Sequence, residues 1–290
     1  MTLLNRRTFV KSTLATGIAA ATGIGSYIEA FGASKNINAD GKIKDIGLQL
    51  YTVRSLMREN LEKTIADVAK VGYSQVEFAG YYDRTATEIK SILDQNGLSS
   101  PSTHVDIELV QGDNLKRTIE YSNTVGHQYV IVPFLQPEDR QTLDQYKKIT
   151  ESFNRIGEEC NKAGLKFAYH NHDFELKAID GVVPLDILLQ ESDPDLFNIE
   201  MDLFWVIAGD GNPIDYFKKY PGRFPLCHVK DRTGDGQMVD VGQGVVDFTS
   251  MFALSELAGL EYFIVEHDQP ENPLNSIKNS YKTLRNMKIG

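Results

Sequence analysis

Five of the chain's six histidines stand beside carboxylate residues at the ends of short apolar runs. The runs close on Glu77; on His104 and Asp106; on His170, Asn171, His172, Asp173 and Glu175; on Glu200 and Asp202; on His228, Lys230 and Asp231; and on Glu266, His267 and Asp268. His127, the sixth histidine, falls beside a helix end. Alternate side chains of a strand share a face, so His170 and His172 point one way, as do Glu200 with Asp202, His228 with Lys230, and Glu266 with Asp268. The residues between them, Tyr169, Ile199, Met201, Cys227, Val229 and Val265, are mostly apolar and suit the opposite face, packed under helices. Imidazoles and carboxylates converging from four strands suit one divalent metal ion, and the mixed nitrogen and oxygen donors favour Mn²⁺, Co²⁺ or Zn²⁺ over Mg²⁺. A buried hydrogen bond would explain any one of these residues alone. Burying so many ionisable groups with no charge to bind is costly.

Those strand ends need a scaffold. From Lys44 onward, short β-rich runs alternate with longer stretches of helical period. Strands are expected at 46–51, 75–79, 102–105, 129–134, 166–172, 197–203, 224–230 and 262–266, and helices at 61–71, 87–96, 115–125, 142–163, 184–190, 213–220, 248–258 and 274–287. In the first helix Leu61, Ile65, Val68 and Ala69 recur at the helical spacing and Gly72 stops it, as Gly97, Gly126 and Gly164 stop the next three. Pro213 suits a first helical turn, where its missing N–H would have no partner in any case. Eight such βα units in about 250 residues are the size and order of an α/β fold of one domain, a single (β/α)8 TIM barrel over 44–290. A doubly wound open sheet would show a glycine-rich turn after its first strand, where this chain has Leu50-Tyr51-Thr52-Val53-Arg54. In a (β/α)8 barrel chemistry sits at the carboxyl ends of the strands, where the polar residues fall.

Composition narrows the partners. The 290 residues hold 30 Lys and Arg against 40 Asp and Glu, a formal charge of −10, so no nucleic acid is expected to bind. Residues 1–34 differ from the rest: Asn5-Arg6-Arg7-Thr8-Phe9-Val10-Lys11 precedes an uncharged run, 12–28, rich in Ala, Gly and Thr. A basic segment before an apolar one is the pattern of an export signal, and the paired arginines resemble the twin-arginine type, which implies a periplasmic protein exported already folded. The run is too short and too rich in Gly, Ser and Thr for a transmembrane anchor, so the mature form should have no membrane span. Cys160 and Cys227, the two cysteines, are expected to be buried as small apolar residues.

Five segments carry a resemblance. Tyr169-His170-Asn171-His172-Asp173-Phe174-Glu175, Met201-Asp202-Leu203-Phe204-Trp205, Cys227-His228-Val229-Lys230-Asp231, Gly242-x-Gly244-x-x-Asp247-Phe248 and Ile264-Val265-Glu266-His267-Asp268 occur in this order. Together they resemble the xylose isomerase-like TIM barrels known as sugar phosphate isomerases/epimerases, over nearly all of 44–290. The export segment resembles that of secreted members from Bacteroides-like bacteria. The resemblance implies a metal held at the ends of strands five to eight: Asp202 on the sixth, His228 on the seventh and Glu266 on the eighth. Where the family has a Glu on the fifth strand this chain has His170, with His172, two residues on, as the alternative ligand. The family's epimerases use the fifth- and eighth-strand carboxylates on opposite faces of the substrate, and they carry a substrate-binding His where this chain has Trp205.

Without the fifth-strand Glu, two-carboxylate epimerisation is disfavoured. A metal and one dominant base suffice for enolisation of a sugar or keto-sugar through an enediolate, followed by isomerisation or by elimination. Glu266, Glu175 and His172 are candidate bases. Lys230 is a candidate acid or oxyanion partner, with a salt bridge to Asp231 or Asp202 as its alternative. Glu77 and His104 are expected to meet substrate hydroxyls, and Trp205 to stack on a sugar face. The Gly242-Gln243-Gly244 loop lacks the third glycine of a dinucleotide fingerprint and is expected to be a turn and helix cap. The expected activity is therefore that of a divalent-metal-dependent isomerase or lyase of a small, unphosphorylated carbohydrate. A 3-keto-glycoside lyase or hydratase and a non-catalytic sugar-binding barrel are the alternatives. The charge and the small ligand set stand against the endonuclease-like branch of the fold, which cuts DNA with a three-metal cluster.

Overall fold

The computed structural model describes residues 35–289; the expected export segment, 1–34, lies outside the described residues. Eight parallel strands close a barrel: β1 (Ile46–Gln49), β2 (Gln75–Phe78), β3 (Ser99–His104), β4 (Tyr129–Val132), β5 (Lys166–His170), β6 (Phe197–Asp202), β7 (Leu226–Val229) and β10 (Tyr262–Val265). Between β7 and the last barrel strand lies a short antiparallel hairpin, β8 (Asp231–Arg232) and β9 (Met238–Val239). Barrel strands pair in chain order, and β1 closes against β10. Among the described residues no helix is long and apolar enough to cross a membrane.

The period of two decides what each strand does. Outward residues such as Val132, Tyr169, Ile199, Met201, Cys227, Val229 and Val265 are all at most 1% exposed and pack against the helices. Inward residues Tyr129, Ile131, Ala168, Leu226, Tyr262 and Ile264 form a separate apolar cluster that plugs the barrel. One inward step further along β5, β7 and β10, the same faces turn polar: Ala168 gives way to His170, Leu226 to His228 and Ile264 to Glu266. Register then brings Asp202 opposite His228, His170 opposite Glu200 and Gln49 opposite Glu77.

Several expected boundaries move, each for a local reason. Strand five ends at His170, not at 172, because the His172 N–H donates to Oε2 of Glu175 (2.8 Å) instead of continuing the sheet. Strand six stops at Asp202, whose Oδ1 accepts from the Trp205 N–H (3.0 Å) and caps a helix, Leu203–Ala208, that the sequence reading lacks. The helix expected at 248–258 breaks into Phe248–Phe252 and Ser255–Ala258. Both cysteines are buried and unbridged.

Candidate functional site

His170, Asp202, His228 and Glu266 converge above the apolar plug, each offering one ligand atom, all within 4.8 Å of one another. Asp202 is fixed at both ends: its N–H donates to Oδ1 of Asn171 (3.0 Å), and with Oδ1 used in capping, only Oδ2 faces the cluster. Nε2 of His170 lies 3.1 Å from that oxygen, while its Nδ1 faces the Pro133 carbonyl at 3.4 Å. Burial and the neighbouring His228 push the His170 imidazole down to about 4, so it is uncharged at neutral pH. A proton on Nδ1, toward Pro133, would leave the Nε2 lone pair to an ion shared with Asp202. Nδ1 of His228 lies 2.7 Å from Oε2 of Glu266 and 3.7 Å from Oδ2 of Asp202; burial opposes the His228 charge, but Glu200, Glu266 and Asp202 hold its pKa well above the usual histidine value. Two imidazoles and two carboxylates converging in a dry site fit Zn²⁺, Mn²⁺ or Co²⁺.

Lys230 stands against this cluster. Its ammonium, 2% exposed, lies 2.7 Å from Oε2 of Glu266, 2.8 Å from Oδ2 of Asp202 and 2.8 Å from Oδ1 of Asp268. Burial opposes its charge, but the three carboxylates outweigh that and hold its pKa well above the usual lysine value. Burial likewise opposes the charges of Asp202 and Glu266, yet Lys230 and the histidines keep both well below the usual carboxylate range. Asp231, the other partner offered by the sequence, is engaged elsewhere. Its Oδ2 accepts from the N–H groups of Gly242 (2.8 Å) and Gly244 (3.0 Å), and a Cβ at position 244 would stand 2.2 Å from Oδ1. The glycine loop thus wraps Asp231, and Asp247 beyond it caps the next helix through the Ser250 N–H (3.1 Å), as the turn-and-cap reading expects.

A second polar layer lies one step deeper. Nε2 of His104 lies 2.6 Å from Oε2 of Glu200 and 3.1 Å from Oε1 of Glu77. Burial works against the His104 charge, but those carboxylates raise it to about 9. Glu200 itself is pushed up to about 7 by burial and by the Glu77 charge. Gln49 completes the layer, donating from Nε2 to Oε1 of Glu77 at 2.8 Å. Glu200 carries the strand-end signal without a role assigned to it, and Gln49, a neutral residue in an ordinary strand, carries no signal at all.

A cavity of about 370 Å³ opens onto the cluster, lined at its floor by His104, His170, His172, Lys230, Glu266 and Asp268 and toward its mouth by Tyr51, Tyr81, Leu109 and Phe134. Three residues singled out from the sequence lie elsewhere. Glu77 is fully buried behind the cluster, bonded through Oε1 to Gln49 and His228, and absent from the cavity wall. Trp205 backs His172, with ring centroids 5.5 Å apart, and is absent from the cavity wall. Glu175 is turned into the strand–helix layer, accepting from the Tyr169 hydroxyl and the His172 N–H; it is fully buried, and burial lifts its pKa to about 8. The alternation rule places side chains only while the strand lasts, and β5 ends five residues before Glu175. Removing a true general base costs about 10²–10⁴-fold in rate, whereas Glu175→Gln should leave kcat within about threefold of the parent in steady-state assays. A hundredfold loss with the fold intact would return Glu175 to the list of bases.

Comparison with known proteins agrees with this architecture. A sequence model of the family described as xylose isomerase-like TIM barrel matches residues 65–287. An inosose dehydratase from Geobacillus kaustophilus is 22% identical over 248 residues, covering 72% of this chain and 80% of that protein. A sugar phosphate isomerase/epimerase from Parabacteroides distasonis, known by crystal structure, superposes with a TM-score of 0.72 at 25% identity, covering 84% of this chain and 94% of its own. The IOLI protein, whose crystal structure holds a zinc atom, superposes with a TM-score of 0.66 at 18% identity, covering 82% and 96%. The chain belongs to the xylose isomerase-like TIM barrel family.

Proposed function

We propose that this protein is a divalent-metal-dependent carbohydrate isomerase or lyase that acts on an unphosphorylated sugar or keto-sugar through an enediolate. One observation carries the reading: His170, Asp202, His228 and Glu266 meet at the floor of a cavity with a buried lysine beside them. A divalent ion held there would polarise a substrate carbonyl and make the neighbouring C–H acidic. Glu266 and Asp268, both in the cavity wall and both bonded to Lys230, are placed to take that proton. Asp268 is the more open of the two, and burial raises its pKa, which makes it the better proton acceptor. His172 also lines the cavity, but burial and the nearby His170 push it down to about 2, which makes it a weak base.

Elimination needs one abstraction and acid help to a leaving oxygen, and the Lys230 ammonium can give that proton. With His170 in place of a carboxylate, no acidic group from β5 faces the opposite side of the substrate, so elimination ranks beside aldose–ketose isomerisation and above epimerisation. The dehydratase named among the relatives supports the elimination branch. Among the described residues Lys230 is the one Lys or Arg in the cavity wall, and three carboxylates already neutralise it, which supports an unphosphorylated substrate.

Metal-loaded protein incubated with free sugars, inososes and 3-keto-glycosides in deuterated water, followed by NMR, tests the proposal. Release of the aglycone with an unsaturated keto-sugar, or loss of water from an inosose, is the expected result. Formation of an epimer carrying deuterium at the inverted carbon, without release, would overturn the ranking. Binding without turnover of any class would favour a sugar-binding barrel.

A further inference from the structure

The layer under the cluster holds a chain of fixed hydrogen bonds. The Tyr51 N–H donates to Oε1 of Gln49 at 2.9 Å, which orients the amide so that Nε2 donates to Oε1 of Glu77 at 2.8 Å. The same Glu77 oxygen receives Nε2 of His228 at 2.8 Å. Gln49, Glu77 and His228 are all fully buried, so water cannot substitute for any of these partners. An ionised carboxylate only accepts, so the His228 Nε2 that faces Glu77 carries a proton, which leaves Nδ1 as the nitrogen that would turn to an ion on giving up its own proton. That Nδ1 lies 2.7 Å from Oε2 of Glu266 and 3.7 Å from Oδ2 of Asp202.

We propose that Glu77, held in place by Gln49, is a positioning residue that sets the tautomer and ring orientation of His228 and so presents Nδ1 to a divalent ion. This rests on the metal-binding reading above. A carboxylate accepting the second N–H of a ligating histidine typically contributes 10–100-fold to metal affinity. The rival assignment makes Glu77, His104, Glu200 and His228 the ligands of a second ion. Of these four only His104 lines the cavity, and Glu77, Glu200 and His228 are fully buried, whereas His170 and Glu266 of the upper set both reach the cavity wall.

Zn²⁺ titration against a competing chelator, with the ions per chain counted, compares the parent with Glu77→Gln. The variant should still take one ion, with Kd raised about 10–100-fold and an altered visible spectrum when Co²⁺ replaces Zn²⁺. A Kd within about twofold of the parent would overturn the positioning role while leaving the metal reading intact. Two ions in the parent and one in the variant would also overturn it, by making the lower layer a metal site. A parent that binds no ion would end both readings. If Glu77→Gln does not fold, NMR of isotope-labelled histidine in the ion-free parent decides. A proton on Nε2 of His228 is expected there, and a proton on Nδ1 alone overturns the assignment.

Discussion

Replacing Asp202 and His228 together by alanine should remove the bound ion and lower activity by at least about a thousandfold, because Lewis-acid assistance is worth several kcal/mol and ~4 kcal/mol is a factor of a thousand. The two residues face each other across the β6–β7 pair and supply Oδ2 and Nδ1 to the same cluster. Removing both leaves His170 and Glu266, too few donors for tight binding of a divalent ion. Metal analysis after exhaustive dialysis reads the first effect, and steady-state rates read the second. Treatment of the parent with a chelator should reproduce the loss, and added Zn²⁺, Mn²⁺ or Co²⁺ should restore activity to the parent but not to the double variant. Full metal occupancy in the double variant would remove these residues from the ligand set.

Lys230→Met should damage both stability and turnover. The ammonium is the shared partner of Asp202, Glu266 and Asp268, the first two almost wholly buried. Removing one partner of a buried ion pair costs about 3–5 kcal/mol, because the remaining charge is left uncompensated. In ion-free protein that corresponds to a Tm roughly 10 °C lower for a domain of this size. The pH dependence follows from the directions of the shifts. The raised Lys230 pKa contributes stability that is present below the unfolded-state value of about 10.4 and is lost as pH rises through the folded value. The lowered Asp202 and Glu266 values contribute stability that is present above about 4 and is lost as pH falls through their folded values. The Tm gap between parent and variant should therefore be widest between about pH 5 and 10 and should close in acid. Loss of the acid should further reduce kcat by about 10²–10⁴-fold. Equal Tm values at pH 7 would show that the carboxylates do not depend on Lys230.

The sequence by itself determined the barrel and the floor of its mouth. Strand periodicity is a local property, and a closed parallel barrel turns every inward residue at a carboxyl end toward one axis. Reading alternate residues was therefore enough to bring His170, Asp202, His228, Lys230 and Glu266 together. Depth and partner choice were decided only by the tertiary structure. Glu77 lies inside the end of β2, paired with Ser102, so it sits a layer below His104, the last residue of β3, and packs against Gln49 and His228 while His104 reaches the cavity wall. Past the last paired residue the period no longer guides Glu175 and Trp205, which leave the cavity, whereas Asp268 keeps the face of Glu266 and meets Lys230. Those choices depend on strand register and on which backbone N–H groups need acceptors once a strand ends, and both arise from residues distant in the chain.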